Sequence, residues 1–153
     1  MTTGKYTEAT LCYSKAIKLD HRHEVAIHNL GVVMFNTSKF TEAIQCFMIA
    51  LRTSPNSYEI WKNIGVAFAK LDKNREAMNC YKKSCLFNPM FASAWMELGN
   101  VQRTIFQCNK SIWCYRKALQ LNKRDEFIFN NLGNSLVEMN SFEYALRCYK
   151  KVL

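Results

Sequence analysis

Proline and glycine are scarce here, two and five in 153 residues, and so little of either excludes a collagen-like or low-complexity chain. No apolar run approaches the roughly 18 residues that a membrane span needs. The start, Met1-Thr2-Thr3-Gly4-Lys5, lacks the apolar centre of a secretory signal, so an intracellular, most simply cytoplasmic, protein is expected. Neither Gly-x-Ser-x-Gly nor His-Glu-x2-His occurs, and the seven cysteines include no Cys-x2-Cys pair. Acidic residues are the scarcer charge, 12 against 21 basic, and the resulting +9 suits an acidic protein, nucleic acid or anionic membrane as partner. What is present is globular in character: 49% hydrophobic and 22% charged residues, in a length that makes one domain and buries a core unaided.

The dominant signal is internal repetition. Glycine stands at Gly31, Gly65, Gly99 and Gly133, in steps of 34 residues. A small residue keeps the same step at Ala9, Ala43, Ala77, Ser111 and Ala145, and an aromatic at Tyr13, Phe47, Tyr81, Tyr115 and Tyr149. Pro55 and Pro89 are also 34 apart. Between Glu24 and Asn36, Ile27, Leu30, Val33 and Met34 follow the spacing of a helix; Ala43, Ile44, Phe47, Ala50 and Leu51 do so after the Thr37-Ser38 break. Each repeat is therefore two short helices. Small residues at positions 8 and 20 let the two approach, and the aromatic at position 24 is expected to fill space toward the next repeat.

The stretch Trp61-x2-Ile64-Gly65-x2-Phe68, Ala77-x3-Tyr81 and Pro89 resembles the tetratricopeptide signature, and Trp95, Leu98 and Gly99 repeat it. Ile27, Leu30, Gly31 and Met34 precede it, and Phe129, Leu132 and Gly133 follow. The resemblance covers the whole chain and implies an all-α, right-handed solenoid of antiparallel helix pairs. Residues 1–23 form a half repeat, a second helix alone; 24–57, 58–91 and 92–125 are complete repeats, and 126–153 is truncated. Gln102 stands where an aromatic is usual, Phe106 takes a turn position held elsewhere by Gly4, Ser38, Asp72 or Asn140, and His21 and Lys123 replace proline.

Most chemistry-bearing residues have an ordinary place in the repeat. Cys12, Cys46, Cys80, Cys114 and Cys148 share position 23. Stacked helices hold such positions about 8–10 Å apart, beyond the roughly 7 Å that a disulfide allows, so these read as small buried thiols in a reducing compartment. Four glycines occupy position 8 and Gly4 is expected at a helix–helix turn, which leaves none for a phosphate-cradling loop. His21, His23 and His28 lack companion ligands at metal-site spacing and read as exposed loop histidines. No catalytic residue, metal site or cofactor is expected.

Function is sought instead on the surface. Lys82-Lys83, Arg116-Lys117 and Lys150-Lys151 form a basic ridge on successive second helices; without exposed aromatics alternating along a groove, it reads as a solvated face rather than a nucleic-acid site. The resemblance implies an inner groove lined by positions 2, 5, 6, 9, 12 and 13 of the first helices. Position 6 carries Asn29, Asn63 and Asn131, interrupted by Glu97, and resembles the asparagine ladder in the repeat domain of O-linked N-acetylglucosamine transferase, which implies backbone-directed binding of extended segments. Asn100, Asn130 and Asn134 join them, and Lys62, Lys70 and Arg103 are expected to favour an acidic stretch, offset near Glu97.

The carboxylate clamp of chaperone-binding relatives matches only Asn63 among His28, Val32, Asn63, Ser93 and Glu97, and only Lys62 among Lys62, Val66, Glu97, Phe127 and Asn131, so chaperone C-terminal tails are not the expected ligands. Trp113, alone among Leu11, Gln45, Asn79 and Arg147 at its position, is a secondary contact candidate. The reading is a non-catalytic adaptor or scaffold module that binds an extended peptide or partner helix. A structural subunit that contacts through its stacked ends, and the substrate-binding arm of a larger enzyme, are the alternatives. Leu146, Tyr149 and Leu153 are expected to present apolar surface, covered by a further helix of a longer protein or by self-association.

Overall fold

The structure, a computed structural model, describes residues 3–20 and 23–152. Among the described residues there are nine helices and no strand: α1 (Thr3–Leu19), α2 (Glu24–Asn36), α3 (Phe40–Thr53), α4 (Tyr58–Lys70), α5 (Asn74–Phe87), α6 (Ala92–Thr104), α7 (Cys108–Leu121), α8 (Glu126–Glu138) and α9 (Phe142–Tyr149). Each packs on its chain neighbours, most extensively within the pairs that begin with α2, α4 and α6. Across pairs, α4 meets α6 and α6 meets α8, so the first helices lie side by side on one face.

The glycine spacing has a direct packing cause. A Cβ on Gly65 would come within 2.6 Å of Tyr81 Cε1, and the same clash arises at Gly31 with Phe47, Gly99 with Tyr115 and Gly133 with Tyr149. The position-24 ring thus lies against the glycine of its own repeat, and not only toward the next repeat as its spacing suggested. It also reaches onward: Phe47 shares a buried cluster with Ile60 and Ile64 of the following first helix. Tyr81 and Tyr115 anchor the two clusters that follow.

The turns within pairs repeat as closely. Ser38, Asp72, Phe106 and Asn140 all take left-handed φ values, between 56° and 61°. The next residue returns its N–H to a carbonyl five back, as in Lys73 N to Phe68 O and Gln107 N to Gln102 O, the closure of a helix that ends in a left-handed residue. Phe106 keeps this turn despite its bulk and is 90% exposed, so its ring gains no burial there. Turns between repeats use another device: Trp61 Nε1 donates to Pro55 O at 2.9 Å and Trp95 Nε1 to Pro89 O at 2.8 Å.

Three expectations need correction. Gly4 lies within α1, not in a turn. His28 is a half-buried residue of α2 and His23 is its N-cap, accepting from Ala26 N through Nδ1; only His23 is a loop residue, and His21 lies outside the described residues. Among the cysteines Cys80, Cys85 and Cys114 are buried, but Cys12 is exposed. Gln102, in place of the usual aromatic, is buried and accepts from the Cys114 thiol at 3.2 Å. No described helix is long and apolar enough to cross a membrane, and no group of three potential metal ligands occurs among the described residues.

Candidate functional site

The face built by α2, α4, α6 and α8 divides into two differently finished halves. In the amino-terminal half, Asn63 Nδ2 lies 3.1 Å from His28 Nε2, across from α4 to α2. With Nε2 accepting, the imidazole proton sits on Nδ1, which faces Asn29 Oδ1 at 3.4 Å. His28 also leans on Phe47, ring centroids 5.5 Å apart. The Asn29 amino group and Asn63 Oδ1 stay unengaged by described residues. Beside them Val32, Phe35, Phe47, Lys62, Asn63 and Val66 line a cavity of about 120 Å³. Lys62 makes no ion pair with a described residue.

In the carboxyl-terminal half the polar groups bond to one another. Asn100 Oδ1 accepts from Tyr115 Oη at 2.8 Å and from Asn131 Nδ2 at 3.2 Å, while Asn100 Nδ2 donates to Glu97 Oε2 at 3.2 Å. Arg103 Nη1 donates to Glu138 Oε1 at 3.0 Å, and the Cys108 thiol donates to Glu138 Oε2 at 3.2 Å. Burial works against the Arg103 charge, but Glu138 and Tyr115 more than offset it and hold the guanidinium above its ordinary range. Burial pushes the Tyr115 hydroxyl up to about 12, with the Arg103 charge pulling the other way. Tyr149 Oη donates to Asn134 Oδ1 at 2.7 Å, so the last two repeats share one device, a position-24 tyrosine bonded to a position-9 asparagine.

The opposite side carries the lysine ridge. Lys83 Nζ stands 4.0 Å over the Trp61 ring and Lys151 Nζ 5.3 Å over Phe129. Trp113 is 52% exposed; its ring meets Trp95 edge to face at 5.3 Å and has Lys117 Nζ at 5.7 Å. In the repeat 24–57 the basic pair is replaced by Met48 and Ile49, both exposed, at an open hollow of about 610 Å³ next to Trp61. That hollow has no charged group but Arg52 in its wall and lies away from the amide row.

The family profile described as tetratricopeptide repeat matches residues 58–89. No curated protein matches the sequence. Among solved structures the chain is similar to MamA, at TM-score 0.90 and 20% identity over 99% of this chain and 88% of that one. MamA from Desulfovibrio magneticus RS-1 gives 0.89 and 20% over 97% and 84%. YrrB, described as a tetratricopeptide protein with an unusual peptide-binding site, gives 0.80 and 19% over 99% and 78%. Residues 58–89 match a tetratricopeptide repeat, and the chain has the fold of these repeat proteins. Nothing in these matches indicates an enzyme family.

Within the array the ten groove residues fall into distinct sets. Asn29, Asn63, Asn100, Asn131 and Glu97 are half-buried and linked as described. Asn130 and Lys70 are exposed and bond to no described side chain. Arg103 pairs with Glu138 at the surface, and half-buried Asn134 accepts from Tyr149, so each already has one partner. The groove positions read from the sequence already include His28, Val32, Phe35, Val66 and Glu138; they did not show that His28 meets Asn63, that Glu138 pairs with Arg103 or that the other three wall a cavity. The available signal was at position 9, where valine gives way to asparagine between Val66 and Asn100.

Proposed function

We propose that this array is a non-catalytic protein-interaction module, an adaptor or scaffold segment, that takes an extended peptide or a partner helix along the face of its first helices. The observation that carries this reading is the row of partly engaged amides, Asn29 and Asn63 on the neighbouring helices α2 and α4 and Asn131 on α8, interrupted at α6 by Glu97. A side-chain amide with one bond made still offers a donor and an acceptor, the pair an extended backbone presents at alternate residues. Asn130 adds an exposed amide, while Asn100 and Asn134 act by holding their neighbours. Lys62 and Lys70 supply the preference for an acidic stretch, and Arg103 does not contribute while Glu138 holds it. Trp113 offers a secondary contact on the other side. The unit is the half repeat, three complete repeats and truncated repeat together, working in a reducing intracellular compartment that suits its seven cysteines, cytoplasmic in the simplest case.

The test is titration of a bound peptide against N29A/N63A/N131A. At about 0.5–1.5 kcal/mol net per lost hydrogen bond, the triple variant weakens binding by about tenfold to several hundredfold. Unchanged affinity with an unchanged melting temperature overturns the groove reading.

A second reading has one observation in its favour. Position 21 is buried or half-buried at Ile44, Met78 and Ile112, each covered by the following repeat, whereas Leu146 in α9 is 55% exposed beside Phe142 and Tyr144. A further helix of a longer chain, a partner or a second copy would each cover this face; the last two would make the array a structural subunit joined through its end. Tyr149 does not belong to that surface, because it is half-buried against Gly133; Leu153 lies outside the described residues.

A further inference from the structure

The cavity in the amino-terminal half of the inner face has no part in building the fold. Its floor is Phe47, 1% exposed, and its walls are Val32, Phe35 and Val66. The array itself shows that position 9 need not be apolar, since Asn100 and Asn134 occupy it in the next two repeats and bond to the tyrosine beneath. Val32 and Val66 therefore keep an apolar opening where this chain twice accepts an amide. We infer that this opening seats one apolar side chain of an extended peptide, of leucine or phenyl size, with an acidic residue of the same peptide beside it on Lys62. The inference rests on the groove reading above and specifies the ligand of that groove.

Size, charge and hydrogen bonding each support it. A volume of about 120 Å³ is somewhat below the ~150 Å³ apolar cavity that holds a benzene ring, and exceeds what a methyl group needs. Lys62 forms part of the wall and makes no ion pair with a described residue; Lys70 stands two turns further along α4. Glu59, one turn earlier on the same helix, is exposed and does not pair with Lys62. A carboxylate arriving next to the apolar anchor would be the first opposite charge in contact with Lys62. Asn63, fixed by His28, presents Oδ1 at the same rim to receive a backbone N–H of that peptide. Apolar anchor, backbone bond and charge thus meet on two adjacent helices.

The experiment is selection of phage-displayed random twelve-residue peptides on the wild-type chain, followed by fluorescence anisotropy of an enriched peptide on V66N, V32L, K62E and N63A. Val66→Asn copies Asn100 and brings an acceptor to the Tyr81 hydroxyl, so it removes the apolar wall while retaining a native arrangement. Val32→Leu fills the cavity and stays apolar, and decides the matter if V66N melts early. Expected are enriched peptides that share an aliphatic or aromatic residue within two positions of Asp or Glu. Their affinity falls by about tenfold to a hundredfold on V66N or V32L. Replacing the apolar residue of the peptide by Ser costs the same, and the two losses do not add. On K62E the acidic peptide weakens and a Lys-bearing version of it recovers. Enriched peptides with no common apolar residue, or full affinity on both V66N and V32L while N63A still weakens binding, would overturn the pocket and leave the groove. Peptides indifferent to N63A as well, or no enrichment at all, would overturn the groove reading together with the pocket.

Discussion

In the repeat 58–91 the inner face ends in Val66 above Tyr81, and in the repeat 92–125 it ends in Asn100 above Tyr115. The backbones are equivalent and the same glycine–aromatic contact lies beneath. Yet Val66 forms one wall of an apolar opening floored by Phe47 of the preceding repeat and flanked by Lys62, which pairs with no described residue, whereas Asn100 closes into a network with Tyr115, Asn131 and Glu97. One side chain per repeat decides whether the face keeps its binding capacity for a ligand or spends it internally. Burial, followed by the Glu97 charge, pushes the Tyr81 hydroxyl up, as expected for a phenol with no acceptor beside it.

Both halves stand on a continuous core, and the largest predicted effect tests that continuity. Cys80 packs beneath the amino-terminal half, Cys85 and Cys114 in the next cluster. Burial raises all three, to about 11 for Cys80 and about 12 for Cys85 and Cys114, from the usual 9. A thiol raised on folding contributes a stability that is whole below the unfolded value and is lost as pH rises through the folded one. Melting temperature should hold to about pH 9 and then fall steeply toward pH 12, in one transition if the halves are coupled. C80A/C85A/C114A should flatten that limb. Two separate transitions would mean that the halves unfold independently.

The next effect breaks the comparison directly. Asn100→Val strips the acceptor from Tyr115 and Asn131 and should destabilise by about 1–3 kcal/mol in chemical denaturation, whereas Val66→Asn, which can pair with Tyr81, should change stability by less than about 1 kcal/mol. Equal costs would remove the distinction. Phe106→Asn should stabilise by about 0.5–1 kcal/mol, because asparagine tolerates the left-handed turn and the exposed ring gives up no burial. The smallest effect belongs to Arg103 and Glu138, a pair one-third exposed: a double-mutant cycle should give about 0.2–1 kcal/mol, weakening with salt.

The fold was readable because each repeat is specified by residues with local causes. Gly65 is required by the ring of Tyr81 and Trp61 by the carbonyl of Pro55, so their 34-residue spacing carries the architecture. Where Lys123 replaces proline, the position-4 residue is Phe129, whose side chain has no N–H to donate. Position lists also brought Asn29, Asn63 and Asn131 to one face. They did not show which amides were already engaged, because that depends on partners about one repeat away, such as His28 for Asn63 and Glu138 for Arg103. Nor could they show the cavity, which is the space left by Val32 and Val66 rather than a residue. Gly4 was misplaced because its spacing copies the turn residues while its backbone is helical.

The most direct test of the account is to follow the side-chain amide resonances of Asn29, Asn63, Asn100, Asn131 and Asn134 by ¹⁵N NMR while a selected peptide is titrated in. The account predicts large shifts at Asn29 and Asn63, a smaller one at Asn131, and Asn100 and Asn134 unmoved, protected by Tyr115 and Tyr149. Asn100 and Asn134 shifting first, with Asn63 unmoved at saturation, would contradict it.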